Sequence, residues 1–248
     1  MRLTTRAAIA LALVLGLLAG PALAQDLSIS LGGDPGGGGS LSLRSVQLLL
    51  LITVLSIVPG LAVMVTCFPF IVTVLSILRQ AIGLQQAPPN MLIISLALFL
   101  TWYVMDPVFT QAWVTGIEPM TTGEMEVTPA LQAAILPFRD FMALRVDPDT
   151  FLSMADLRPA TAGATPATAP LSLLVPSFLL SEIQRAFEIG FMIFLPFLII
   201  DLVVAAILMS MGMMMVPPAV VSLPFKLAFF VVADGWALIT GALVRSYV

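Results

Sequence analysis

The chain has 248 residues, 60% hydrophobic and 10% charged, with Lys+Arg 10 against Asp+Glu 14 and a net charge of −4. Soluble domains carry about 25% charged residues, so a mean hydropathy of +1.10 marks an integral membrane protein without a large soluble domain for separate chemistry. Cys67 is the single cysteine and histidine is absent, which excludes an intrachain disulfide, a Cys/His zinc site and any triad with a histidine base; the acidic balance offers nucleic acid no basic patch.

Arg2 and Arg6, the apolar run Ala7 to Ala19 and Ala22-Leu23-Ala24 read as a cleavable signal peptide over residues 1–24. An uncleaved anchor is the competing reading. Residues 25–43, with Gly36 to Gly39, form a flexible Gly-rich spacer. The first membrane helical region follows at 44–105. Arg44 opens a charge-free run to Leu78, closed by Arg79, longer than the roughly 20 residues one crossing needs. Pro59-Gly60 and Pro69 predict a broken helix, or a helix plus a short second piece. Cys67 lies in that run, where a small buried side chain is the plain reading. Pro88-Pro89-Asn90 then lead into a second apolar helix, Met91 to Met105, ended by Asp106-Pro107.

Residues 106–181 are acidic and soluble-looking, and four crossings would place them outside the cytoplasm with both chain ends. Arg79 and Lys226 then fit the positive-inside rule, whereas Arg44 and Arg245 do not. Leu131, Ile135, Phe138 and Met142 recur at helical spacing and predict an amphipathic helix. Asp147-Pro148 reads as an N-cap with proline at the first helical position, opening a short helix through Met154. Pro159 to Pro170 (PATAGATPATAP) reads as a low-complexity, mobile linker. No catalytic constellation is visible.

Residues 182–248 form a membrane hairpin. Ile189 to Met211 and Val220 to Val244 are its helices, kinked at Pro196 and Pro224. The turn Gly212-Met213-Met214-Met215-Val216-Pro217-Pro218 joins them. Ionised groups at membrane depth cost kilocalories unless paired or hydrated, so Glu182, Arg185, Glu188, Asp201, Lys226 and Asp234 stand out as buried charges. Glu182, Arg185 and Glu188 are spaced to lie near one another on a helix face. Asp201 lies roughly 16 Å before the turn and Lys226 roughly 12 Å after it. At comparable depth, the two predict an ion pair that sets the register of the hairpin. The alternative is proton relay by Asp201 or Asp234. For Met213, Met214 and Met215 two readings stand: a soft seal if several copies surround a pore, or apolar packing of the turn. No metal-ligand set or cofactor motif is present, so an enzyme is not expected.

Several stretches together resemble the FliP family, flagellar members of the type III secretion export-gate proteins. They are Leu84-Gln85-Gln86-Ala87-Pro88-Pro89-Asn90, Ser181-Glu182-Ile183-Gln184-Arg185-Ala186-Phe187-Glu188, Leu195-Pro196-Phe197-Leu198-Ile199-Ile200-Asp201, Gly212 to Pro218, Leu223-Pro224-Phe225-Lys226-Leu227 and Asp234-Gly235-Trp236. The resemblance covers about residues 44 to 246. It implies an all-α fold of about four hydrophobic helices with an acidic extracytoplasmic insert. Several copies would assemble with FliQ and FliR into a pore-forming complex at the flagellar basal body, much of it on the periplasmic side of the inner membrane. FlhA, FlhB and the MS ring would be neighbours, and unfolded flagellar subunits the cargo. Met213 to Met215 would form the constriction, and Asp201 and Lys226 would match charged positions of the last helices. Family members often carry a Thr-Arg pair where this chain has Thr66-Cys67, so contacts of that helix would be met differently here. The virulence injectisome counterpart is the nearest rival; the signal peptide and the long insert favour the flagellar form. A small-solute or proton channel would show inverted repeats, and none is visible.

Overall fold

The computed structural model describes residues 40–84, 87–161, 163–213 and 215–247. The signal peptide, and the spacer up to residue 39, lie outside the described residues. Two compact units divide the chain, Met1–Leu50 and Leu51–Val248. Of the first, the described part is the opening of α1.

The described residues hold helices and no strands. In order they are α1 (Ser40–Met64), α2 (Phe68–Ile82), α3 (Asn90–Ala112), a π turn (Trp113–Ile117), α4 (Glu118–Thr121), α5 (Val127–Arg145), α6 (Pro148–Asp156), a 3-10 turn (Pro159–Thr161), α7 (Leu171–Ser210), α8 (Pro218–Val232) and α9 (Gly235–Arg245). Among them, Asn90–Thr121 and Leu171–Ser210 are long and apolar enough to cross a membrane. The bent pair α8 and α9 makes a third if counted as one span. At 40 residues α7 reaches roughly 60 Å, about twice a hydrocarbon core. Part of it must therefore stand outside the bilayer.

The core is built around α2. Phe70, Ile71, Val74, Leu75, Leu78 and Ala81 are all buried and fall within about 140° of the helix circumference, one broad packed face. A stripe that wide is what an amphipathic helix packed into a core presents. The chain breaks before it at residues 65–67, and Pro69 occupies the first turn, where its missing N–H is no loss. Pro59-Gly60, by contrast, stays inside α1. Gly190 of α7 faces Ile77 of α2: a Cβ there would meet Ile77 Cδ1 at 2.4 Å. Glycine leaves the space that the Ile77 side chain fills, the use of a small residue at a helix crossing that membrane helices favour.

Three expectations change. The second apolar helix does not end at Asp106-Pro107; α3 continues to Ala112 and runs through the π turn into α4. Proline removes one hydrogen bond, and the remaining ladder tolerates it in membrane helices. The helix over residues 127–145 is present, but Leu131 and Ile135 are exposed and Ala130, Pro137 and Met142 are buried. Its packed face is set by small residues, because a Cβ on Gly116 of the π turn would sit 2.6 Å from both Ala130 O and Ala134 Cβ. The stretch Pro159 to Pro170 is tied down rather than loose. Arg139 donates from Nε to Ala167 O at 3.1 Å and from Nη2 to Ala169 O, Thr161 Oγ1 donates to Ala155 O at 2.9 Å, and Ala169 is buried. Composition alone could not reveal an arginine reaching across from another helix.

Asp147 caps α6, and its own N–H donates to Ser181 Oγ of α7 at 2.9 Å. Thr150 N and Thr150 Oγ1 both donate to Asp147 Oδ2 at 2.9 Å. These bonds, the backbone N–H first, hold the carboxyl below the usual carboxylate range. A depressed folded value means the cap stabilises fully above the ordinary value of 3.8 and is lost as pH falls through the lower folded one. Amide-exchange protection at Thr150 should therefore be flat above about pH 5 and fall in acid. Asp147→Asn should abolish that fall; an identical acid profile in both proteins would remove the cap from the explanation.

Candidate functional site

Helices α7 and α8 form the charged hairpin, and its turn is dictated locally. Gly212 sits at φ +72, a left-handed conformation that glycine takes without penalty. Gly212 N donates to Met209 O at 3.1 Å and Met213 N to Leu208 O at 3.0 Å. This is the Schellman pattern, which ends α7 by satisfying its last carbonyls. Pro218 then opens α8 at the first helical position, with Pro217 extended before it. Elsewhere Pro89 O accepts from Leu92 N and Ile93 N at 3.0 and 3.3 Å to start α3, with Pro88 just before it. Of the methionines, Met213 is 42% exposed and Met215 98%. Met214 lies outside the described residues.

The arms are joined by charge. Lys226 Nζ of α8 lies 2.6 Å from Asp201 Oδ2 of α7 and donates to Ala81 O of α2 at 3.2 Å. Ser222, one turn before Lys226, donates from Oγ to Asp201 Oδ1 at 2.5 Å. Lys226 is 6% exposed and Ser222 fully buried, whereas Asp201 keeps partial access to solvent. The ammonium meets both a carboxylate and the carbonyl end of α2, where a helix presents partial negative charge. Gly83, at φ +88, lets the chain leave α2 close to Lys226.

A second polar node lies on the N-terminal half of α7. Glu182 is 0% exposed. Its Oε1 accepts from Arg145 Nε at 3.3 Å and Arg185 Nη1 at 3.4 Å, and its Oε2 accepts from Tyr247 OH. Arg145 Nη2 is 3.2 Å from the same Oε1 without the angle for a hydrogen bond. Arg145 Nη1 donates to Ser246 O at 2.7 Å, and its guanidinium stacks 4.0 Å from the Tyr247 ring centroid. One buried carboxylate thus gathers two cations and a phenol, which is how a buried charge is made tolerable.

The other charges read as buried behave differently. Arg185 is half-buried, and Glu188 and Asp234 are exposed in this chain. Glu188 lies six residues beyond Glu182, which turns it about 240° round the helix, away from the node; its partner is Gln184, which donates from Nε2 at 3.2 Å. Asp234 stands at a break, φ +48, so Val220 to Val244 is two helices with a 61° bend and not one. Reading the sequence missed Ser222, Arg145 and Tyr247. Ser222 was within reach, lying one turn from Lys226 on the same face. Arg145 and Tyr247 carry no local signal, because their partners are 37 and 65 residues away in the chain.

A family model described as the FliP family matches residues 51–243. The chain belongs to the FliP family. Flagellar biosynthetic protein FliP of Caulobacter vibrioides is 49% identical over 237 residues, spanning 95% of this chain and 88% of that protein. The FliP of Rhizobium meliloti is 49% identical over 201 residues, 80% of this chain and 82% of its own length. Bacillus subtilis FliP is 44% identical over 207 residues, 82% of this chain and 92% of its own length.

Removing one partner of a buried pair strands the other, and Asp201's partial exposure softens that penalty. In full-length protein in detergent, Asp201→Asn and Lys226→Met should each destabilise, with a favourable coupling of about 1–3 kcal/mol in the double-mutant cycle. Additive effects on thermal unfolding would mean the pair contributes nothing beyond its separate side chains.

Proposed function

We propose that this FliP-family chain is a non-enzymatic component of the flagellar protein export gate in the bacterial inner membrane. Several copies build a helical pore that passes unfolded flagellar subunits, and the Met213–Met215 turn is its seal. Membership of the FliP family and the flagellar names of its relatives support the export role. FliQ, FliR, FlhA, FlhB and the MS ring are the partners that the resemblance implies.

The observation that carries the seal is the position of Met215. It is 98% exposed at the tip of a hairpin whose arms are joined by Asp201 and Lys226, so packing within one chain does not account for it. Methionine is flexible and polarizable, and a ring of such side chains closes an opening yet deforms around a passing chain. The Asp201–Lys226 pair acts as a register-setter that fixes where the tip stands relative to α2. The length of α7 fits a complex that projects beyond the bilayer on the periplasmic side. A virulence injectisome role has no comparable support, since the relatives named above carry flagellar names.

Cysteines replacing Met213 or Met215, placed in a Cys67→Ala background, should cross-link between copies in assembled complexes. A cysteine replacing Leu144, exposed on the insert, should not. Deleting the chain should abolish motility, and Met213→Gly with Met215→Gly should leak small solutes across the membrane. Monomeric methionine-turn variants under oxidation, in otherwise assembled and motile cells, would end the seal reading.

A further inference from the structure

Helix α9 is fastened at its two ends and underpacked between them. At its start, Asp234 holds φ +48, a left-handed conformation few side chains adopt. The next residue must be small, because a Cβ on Gly235 would lie 2.2 Å from Phe230 Cε2. The chain turns 61° across this joint. Along its middle, α9 does not close on α7: an apolar cavity of about 290 Å³, open to the surface where Leu238 is exposed, lies between Ile189 and Ile193 on one side and Leu238, Ile239, Ala242 and Leu243 on the other. Apolar side chains facing a void lose the contacts that would hold two helices together.

At the far end the chain is gripped again. Tyr247 OH donates to the buried Glu182, and the Tyr247 ring packs edge-on to Phe70 at 5.5 Å and stacks on Phe141 at 6.1 Å. Ser246 O takes the Arg145 guanidinium at 2.7 Å. These partners sit on α2, α5 and α7, so two residues after α9 reach three other helices.

We propose that α9 is a hinged lid: Asp234-Gly235 is its hinge, and Ser246-Tyr247, seated on Glu182 and Arg145, is the latch that holds it over the apolar cavity. Releasing the latch frees α9 from α7 while the rest of the fold stays closed. This holds whether or not the methionine turn seals a pore, since it concerns one chain alone.

The test is thiol labelling of the full-length protein in detergent, with Cys67→Ala removing the native thiol. Leu243→Cys reports the lid, because Leu243 is 2% exposed. Ala155→Cys, equally buried at 2%, reports the separate core formed by α6 and α7. Tyr247→Phe keeps the ring and loses the hydrogen bond to a buried charge, so labelling at position 243 should rise roughly ten-fold or more. Tyr247→Ala should raise it further, and position 155 should stay protected in both. Unchanged labelling at 243 in both variants overturns the latch. So does a parallel rise at 155, which would mean global unfolding, or a Tyr247→Phe protein that labels like the unmutated one while Tyr247→Ala rises, which would assign the seat to the ring alone.

Discussion

One ammonium group stands where three helices meet. Lys226 binds the carboxylate of Asp201 on α7 and the Ala81 carbonyl at the end of α2, and it comes from α8. A charge of this kind in an apolar setting is costly unless every neighbour answers it. Lys226 thus links α2, α7 and α8 at one point, with Ser222 on the second carboxylate oxygen.

Packing reinforces the constraint. The short α2 buries one broad face, and the missing side chain at Gly190 leaves room for Ile77 of α2 to pack directly against α7. With α7 held by Gly190 at one level and Asp201 at another, the α7–α8 turn becomes the end of a braced pair. The Schellman close at Gly212 and the proline start of α8 leave Met213 and Met215 exposed between them. The exposed methionine turn is thus a consequence of satisfied backbone and paired charge beneath it.

The insert is bound to the same long helix by a different chemistry. Asp147 N reaches Ser181, and Arg145 reaches Glu182, so α5 and α6 are fastened to the N-terminal half of α7 through two adjacent positions. Arg139 straps the Ala/Thr/Pro stretch back onto α5. The result is a polar, hydrogen-bonded half of α7 and an apolar half that ends in the hairpin. Both halves are one uninterrupted helix, so they are mechanically continuous.

The sequence by itself determined the membrane class, the all-helical fold, the cap at Asp147, the turn at Gly212 to Pro218 and the family. These are set by composition and by residues within a turn or two of each other, where periodicity and backbone preference are decisive. It also singled out Asp201 and Lys226, because the cost of an isolated charge is local even when its partner is not. What only the tertiary structure decided was the rest of each node: Ala81 O and Ser222 around Lys226, Arg145 and Tyr247 around Glu182. It also decided the exposure of Glu188 and Asp234, the passage of α3 through Pro107 and the break at Asp234. Each depends on which groups from distant parts of the chain arrive at one point. No period or propensity along the sequence encodes that arrival; packing of whole helices does.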